Sequence, residues 1–154
     1  MDDIFIIGVG MTPFGRYLDR SVTNLTEQAV KAALADAGLQ HTDIGAIAFA
    51  NATQGAIEGQ FGIRGQVALA NLPFDAVPIV NVENACASAS TALQIAMMQV
   101  QTEQTHIALA IGAEKMCHPD TAVSMDAFHG SWDRAQSDKT LERLAAMGAG
   151  VPTP

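Results

Sequence analysis

Apolar positions along this chain fall into short continuous runs, separated by stretches of helical spacing. Ile4-Phe5-Ile6-Ile7 with Val9 is the first run and predicts a buried strand over residues 4–9. Gly8 to Arg16 then leaves it as a glycine-punctuated turn. A lone G-x-G after a strand is thin ground for phosphate binding when the rest of a dinucleotide fingerprint is absent, and a sharp exit from a sheet is the simpler reading. Asn24-Leu25-Thr26-Glu27 has the form of a capping box. Leu25, Ala29, Ala32, Ala33 and Ala37 recur near helical spacing up to Gly38, a natural stop. Ile44–Ala50 is a second apolar run and a second predicted strand. Strand, helix, strand in this order predicts a right-handed parallel crossover.

Residues 51–62 read as a loop rich in Gly, Ala and Gln, and 63–72 as a short helix weakened by Gly65 and ended at Asn71-Leu72-Pro73. Val77, Ile79, Val80 and Val82 predict a third strand, and Thr105–Ala113 a fourth. Between them, Glu83-Asn84-Ala85-Cys86 forms a turn, followed by the small residues Ala87 to Ala92 and then Leu93, Ile95, Ala96, Met97, Met98 and Val100. That pattern predicts a helix opening at Cys86 whose first turns can be packed closely. From Cys117 to Trp132 the chain is polar and irregular, with one aromatic-rich spot at Phe128, His129 and Trp132. Ser137–Met147 predicts a surface helix with Leu141, Leu144 and Ala145 on one side, stopped by Gly148 and Gly150, before an extended Val151–Pro154. Apolar strands alternating with helices give an α/β fold with a mainly parallel sheet.

Composition narrows the class. The 154 residues suffice for one domain with a core, and 49% hydrophobic against 16% charged residues excludes a disordered chain. A net charge of −8 argues against a nucleic-acid-binding surface, and the Lys and Arg residues are scattered without a run. Two cysteines, Cys86 and Cys117, make no disulfide framework, which points to a reducing, cytoplasmic setting. The apolar start follows two acids and is too short for a signal peptide, and no apolar run is long enough to span a membrane. Cys117-His118 alone cannot supply a tetrahedral metal site, so no metal is expected.

The chemistry-bearing candidate is Cys86. A cysteine at a helix start sits among backbone N–H groups that lack partners, at the positive end of the helix dipole. That setting suits a thiolate nucleophile and a developing oxyanion. The dipole contributes only about 0.3–1 kcal/mol to an anion, so the thiol also needs a partner base. A lone cysteine between strand and helix also fits a small buried hydrophobe.

Val82-Glu83-Asn84-Ala85-Cys86-Ala87-Ser88-Ala89-Ser90-Thr91-Ala92-Leu93 resembles the nucleophile segment of the thiolase superfamily, V-N/E-x-x-C-A/G-S-G/A-x-x-A-L, and the sterol-carrier-protein-type thiolases in particular. Ala89 stands where many relatives carry Gly. The stretch Gly8 to Gly15, of the form G-x-x-x-T-P-F-G, and Gly112-Ala113-Glu114-Lys115-Met116 add to the resemblance. It implies the N-terminal half of a thiolase-like fold, β-α-β-α-β-α-β, with a core over 1–116 and the beginning of a loop domain over 117–154. It covers nearly all of this chain but well under half of the family's length. The strand that closes the first half, and the second half, are expected from elsewhere: the same polypeptide, a separate chain of a split enzyme, or, for a pure binding protein, nowhere.

The resemblance implies acyl-CoA acyl transfer, either thiolytic cleavage or Claisen condensation, with Cys86 as the acylated nucleophile and its N–H as half of an oxyanion hole. Coenzyme A or acyl-CoA is then a substrate, with no tightly bound cofactor and no metal. The net charge leaves room for a local basic patch to meet it. Gln54 and Gln60 lie in, and Arg64 just beyond, the loop that relatives keep near the reactive cysteine and the dimer interface, and the resemblance implies them as supporting or interface residues. The family's Asn, Gly-His-Pro and second Cys or His motifs are absent, and His41, His106, His118 and His129 lie in none of them. The isolated chain is therefore expected to be catalytically poor. Implied partners are a C-terminal thiolase half and further copies of the chain, as a dimer or tetramer packed through the strand before Cys86. Alternatives are a CoA-linked retro-aldolase or condensing subunit with a zinc-ribbon/OB partner, or a non-catalytic assembly subunit.

Overall fold

The computed structural model describes residues 3–148. Its first regular element is α1, Val22–Ala37. Ser21 caps it: its Oγ accepts from the Asn24 N–H at 3.2 Å, while Asn24 Oδ1 accepts from the Ser21 N–H at 3.1 Å. The capping box thus lies three residues ahead of the Asn24–Glu27 frame, and the helix starts earlier than its apolar spacing implies. Gly38, at φ 67°, ends it as expected, and the Leu39 N–H reaches back to the Leu34 carbonyl at 2.9 Å.

Three parallel strands follow in the spatial order β2-β1-β3: β1 Ala46–Ala50, β2 Ile79–Val82 and β3 Ala108–Gly112. Every residue of the central strand β1 is buried, as a parallel strand covered on both faces must be. Its alternate side chains serve two different layers. Ile47 and Phe49 join Val22, Val30 and Leu34 of α1 and Ala68 of α3 (Arg64–Ala68) in the larger core. Ala48 and Ala50 meet Ala92 and Ala96 of α4 (Ser88–Gln101) on the other face. The small residues let α4 lie close to the sheet: a Cβ at Gly112 would stand 3.0 Å from the Ala89 Cβ.

The first predicted strand is a correction. Among the described residues, 4–9 form no strand, and Phe5, Ile6 and Val9 are largely exposed. A strand exists only with a neighbour to complete its ladder, and this segment has none. It is held to α1 instead. A Cβ at Gly8 would lie 2.6 Å from the Ala37 Cβ, one at Gly10 would lie 2.4 Å from the Ala29 carbonyl oxygen, and the Val9 N–H donates to Asp36 Oδ2 at 2.9 Å. A slot separates the segment from the free edge of β3.

Smaller differences have local causes. The 51–62 loop contains a short helix, α2 (Gln54–Glu58), because Asn51 Oδ1 accepts from the Gln54 N–H at 2.9 Å and starts a turn. The helix expected over 63–72 is confined to α3. The 117–132 stretch contains α5, Thr121–Asp126, capped by Asp120 Oδ1 accepting from the Ala122 N–H at 2.9 Å. The last helix, α6 (Ser137–Ala146), buries no residue, and Leu141 and Leu144 are exposed. The extended end expected over 151–154, and its Gly150 stop, lie outside the described residues.

Candidate active site

Cys86 does not open the α-helix itself. It is the middle residue of a 3-10 turn, Ala85–Ala87, that runs directly into α4. The strand-to-helix bend is concentrated at Ala85, whose φ of 45° is left-handed, a conformation that costs a non-glycine residue about 1–2 kcal/mol. Local bonds offset that cost. The Ala85 N–H donates to Glu83 Oε1 at 2.7 Å, and the Ala87 N–H donates to the Asn84 carbonyl at 2.9 Å. Ser88, nearly buried, sits at the hinge: its Oγ accepts from the Asn84 N–H at 2.8 Å and donates to the Ala85 carbonyl at 2.7 Å. Asn84 Nδ2 donates to Thr91 Oγ1 at 3.1 Å, tying the turn to the second turn of the helix. Cys86 itself is exposed.

The exposed thiol opens on a cavity of about 740 Å³ at the carboxyl ends of the strands, where open α/β sheets bind their ligands. One wall is the 10–17 segment, including Arg16. Another is Ala50-Asn51 from the end of β1, and a third is 112–117 from the end of β3, including Cys117. Ala89 and Gly112 lie against each other in its lining, which also includes Cys86. No histidine lines this cavity. His118 Nδ1 is engaged by the Asp120 N–H at 3.0 Å, and His106 lines the slot beside β3. Among the described residues, no group of three or more His, Cys, Asp or Glu side chains could hold a metal.

Glu114 fixes the cavity's far wall. Its carboxylate accepts from the Ala52 N–H at 2.8 Å, the Thr53 N–H at 3.1 Å, Asn51 Nδ2 at 3.1 Å and the Thr53 hydroxyl. Asn51 is buried, and its Nδ2 also donates to the Ala113 carbonyl at 2.7 Å. The ends of β1 and β3 are thereby cross-tied next to Cys86. Arg64 supports the same loop from behind, donating from Nη1 to the carbonyls of Asn51 at 2.9 Å and Ala52 at 3.2 Å. Gln54 is buried against Glu58, and Gln60 bonds the Gly62 carbonyl at 2.6 Å. Gln54, Gln60 and Arg64 do not line the cavity; Arg64, through the Asn51 carbonyl, and the Gln54 N–H, through Asn51 Oδ1, reach its wall. Sequence reasoning passed over Asn51 and Ser88. The available signal for Asn51 was its place as the first polar residue after an entirely apolar strand.

The family model "Thiolase, N-terminal domain" matches residues 4–149. An acetyl-CoA acetyltransferase of Methanothermobacter thermautotrophicus is 33% identical over 152 residues, which span 97% of this chain and 39% of that protein. The acetyl-CoA acetyltransferase of Methanocaldococcus jannaschii is 35% identical over 151 residues, 97% of this chain and 38% of that one. Human sterol carrier protein 2 is 36% identical over 116 residues, 73% of this chain and 20% of that protein. Among solved structures, 3-oxoacyl-[acyl-carrier-protein] synthase III from Aquifex aeolicus matches with a TM-score of 0.53 and 25% identity over 64% of this chain and 31% of that one. The chain thus spans about two fifths of the length of the acetyltransferases it matches.

Proposed function

The chain belongs to the thiolase family, and from that premise we propose that it supplies the nucleophile half of an acyl-CoA acyltransferase, with Cys86 as the group that is acylated. The observation that carries this reading is the placement of an exposed Cys86 on a strained strand-to-helix turn, opening on a cavity at the carboxyl ends of three parallel strands. The thiolate adds to the 3-oxo carbon of a 3-oxoacyl-CoA, and its own N–H, at a helix start, donates to the developing oxyanion. The bond between C2 and C3 then breaks. Acetyl-CoA leaves as its enolate and takes a proton, and the shortened acyl group stays on sulfur. A coenzyme A thiol attacks that thioester and restores Cys86. Condensation is the same sequence reversed, and neither direction requires a redox partner.

The proton must go to a base, and no histidine lines the Cys86 cavity. We assign the base and the second oxyanion donor to a C-terminal thiolase portion that docks over the open side. The 117–148 segment, whose last helix buries nothing, reads as the start of a loop domain placed to meet that portion.

The test uses the protein as purified, with every chain that accompanies it. Incubation with acetyl-CoA should add one acetyl group to the peptide carrying Cys86, and free coenzyme A should remove it. Iodoacetamide should modify Cys86 much faster than Cys117. Equal, slow alkylation of the two cysteines without acetyl uptake would refute the proposal.

A further inference from the structure

We propose that Arg16 selects acyl groups that end in a carboxylate, pairing with that carboxylate while the thioester end lies on Cys86. The inference deepens the acyl-transfer reading of the same cavity and rests on it. The cavity of about 740 Å³ has the size of a site for one small molecule. Its lining carries two cations, Arg16 and Lys115, and one carboxylate, Glu114. Lys115 is already matched, with its Nζ 3.5 Å from Glu58 Oε1. Glu114 is occupied by the donors of Ala52, Thr53 and Asn51. Arg16 differs from both. Arg20, Arg64 and Arg134 donate to a side-chain amide, to carbonyls and to a carboxylate. Among the described residues, Arg16 donates to none of these and no carboxylate pairs with it.

The loop that carries Arg16 is closed on itself. The Tyr17 hydroxyl donates to the Pro13 carbonyl at 2.9 Å, and the Tyr17 ring packs on Gly15, where a Cβ would stand 2.9 Å from the ring carbon Cζ. An unmatched guanidinium is thereby held in the wall of the chamber that contains the thiol. It is always charged, and its planar fork of N–H donors matches a carboxylate in two parallel bonds. In a chain of net charge −8 most of the surface repels an anion, so the cation inside the cavity is a local exception. The phosphates of coenzyme A are a less fitting partner. They stand at the far end of the pantetheine arm, and a cavity of this size around the sulfur does not reach them. The free end of an acyl group bonded to sulfur stays inside it. In the transfer step the Cys86 sulfur bonds the thioester carbon, the bond to the coenzyme A sulfur breaks, and coenzyme A leaves as the thiol with the proton given up by Cys86. Arg16 takes no part in that exchange and acts only on which acyl group is held.

The test has two readouts on the protein as purified, with its accompanying chains, in a Cys117→Ser background. The first needs no acyl transfer. It is the rate at which maleimidohexanoate labels Cys86 divided by the rate for its neutral amide, each normalised to labelling of mercaptoethanol. The quotient should be about tenfold, the lower end of what a charge-assisted hydrogen bond gives, and should fall to about one in Arg16→Ala. Arg16→Lys should recover part of it. Lys31→Ala, which removes one positive charge from the surface of α1, should leave the quotient as it was. A quotient that Arg16→Ala does not lower would overturn the proposal. The second readout is acyl uptake at Cys86 from adipoyl-CoA against hexanoyl-CoA, which have equal length and differ in the terminal carboxylate. A preference for adipoyl-CoA that Arg16→Ala abolishes is expected, and equal uptake of the two before mutation would overturn the proposal. So would an equal loss of both donors in Arg16→Ala that is relieved with the corresponding pantetheine thioesters, because it would place a phosphate of coenzyme A at Arg16. A labelling preference without uptake from either donor would leave Arg16 as a carboxylate site and refute only the acyl-transfer reading.

Discussion

Ser88→Ala removes a single oxygen, yet that oxygen holds the turn that presents Cys86. Ser88 is 5% exposed, and its Oγ both accepts from the Asn84 N–H and donates to the Ala85 carbonyl. The carbonyl keeps a second partner in the Ser88 N–H, so its loss is one net bond, about 0.5–1.5 kcal/mol. The Asn84 N–H is left without its acceptor, a further cost of about 1–3 kcal/mol where water cannot reach it. Alanine's better helix propensity returns about 0.5 kcal/mol. The balance is a destabilisation of about 2 kcal/mol. The turn should also loosen, because Ala85 stays left-handed only while its neighbours hold it. Urea denaturation measures the stability change, and the rate of Cys86 alkylation in a Cys117→Ser background measures the turn. Ser90→Ala is the control: it sits in the same helix, is exposed, and bonds only the Ala87 carbonyl at 2.9 Å. Ser88→Ala should cost clearly more than Ser90→Ala and should change the alkylation rate. Equal costs and equal rates would refute the hinge role of Ser88.

Gly65→Ala would place a Cβ 2.7 Å from the Phe49 Cβ and 2.9 Å from Ile79 Cγ2, so thermal melting should show a loss of about 1–3 kcal/mol from overpacking. Arg64→Ala removes charge-assisted bonds to two carbonyls of the 51–53 loop; a loss of about 2 kcal/mol is expected, and Arg64→Lys should recover part of it in the same denaturation assay. Asp126 has its carboxyl held below the usual carboxylate range by the hydrogen bond to His129 and then by Arg134. Because the folded value is depressed, its contribution is present above the ordinary Asp range and lost as pH falls through the lowered value. Carboxyl NMR titration should show that lowered midpoint, and Arg134→Ala should return it toward the ordinary range.

The parts of the fold that could be read from sequence were those that carry their partners nearby. The apolar run of β1, the small residues of α4 and the Gly38 stop each announce a local requirement, and the structure meets each of them. The cap of α1 was misplaced because both Ser21 and Asn24 are good capping types, and only their mutual bonding decides which one ends the chain's extended approach. The 4–9 segment misled for a different reason. Its composition suits a buried strand, but strand formation is a property of two chains side by side, and among residues 3–148 no segment pairs with it. At the site, Cys86 stood out because the segment around it resembles the thiolase nucleophile segment and because it lies at a strand-to-helix junction. The Glu114 tie was invisible, since it joins positions 61 to 63 residues apart.

The slot beside β3 and the cavity of Cys86 are not independent openings. Gly10, Ala29 and Gly112 line both, so the slot runs into the cavity at the carboxyl end of β3. Loosening the outer edge of β3 would therefore also loosen a wall of the chamber around the thiol. Two consequences follow from the physics of a closed site. Excluding water strengthens the interaction of the Cys86 N–H with an oxyanion, and a wall fixes the acyl group relative to sulfur. Order at the edge of β3 and acyl transfer at Cys86 should therefore rise and fall together. In a mild urea titration of the purified protein, acetyl uptake at Cys86 should vanish over the same range in which residues 108–112 lose their exchange protection. Acetyl uptake that persisted after that edge had opened would show that the thiol works without an ordered β3 edge, and would break the link between that edge and the chemistry.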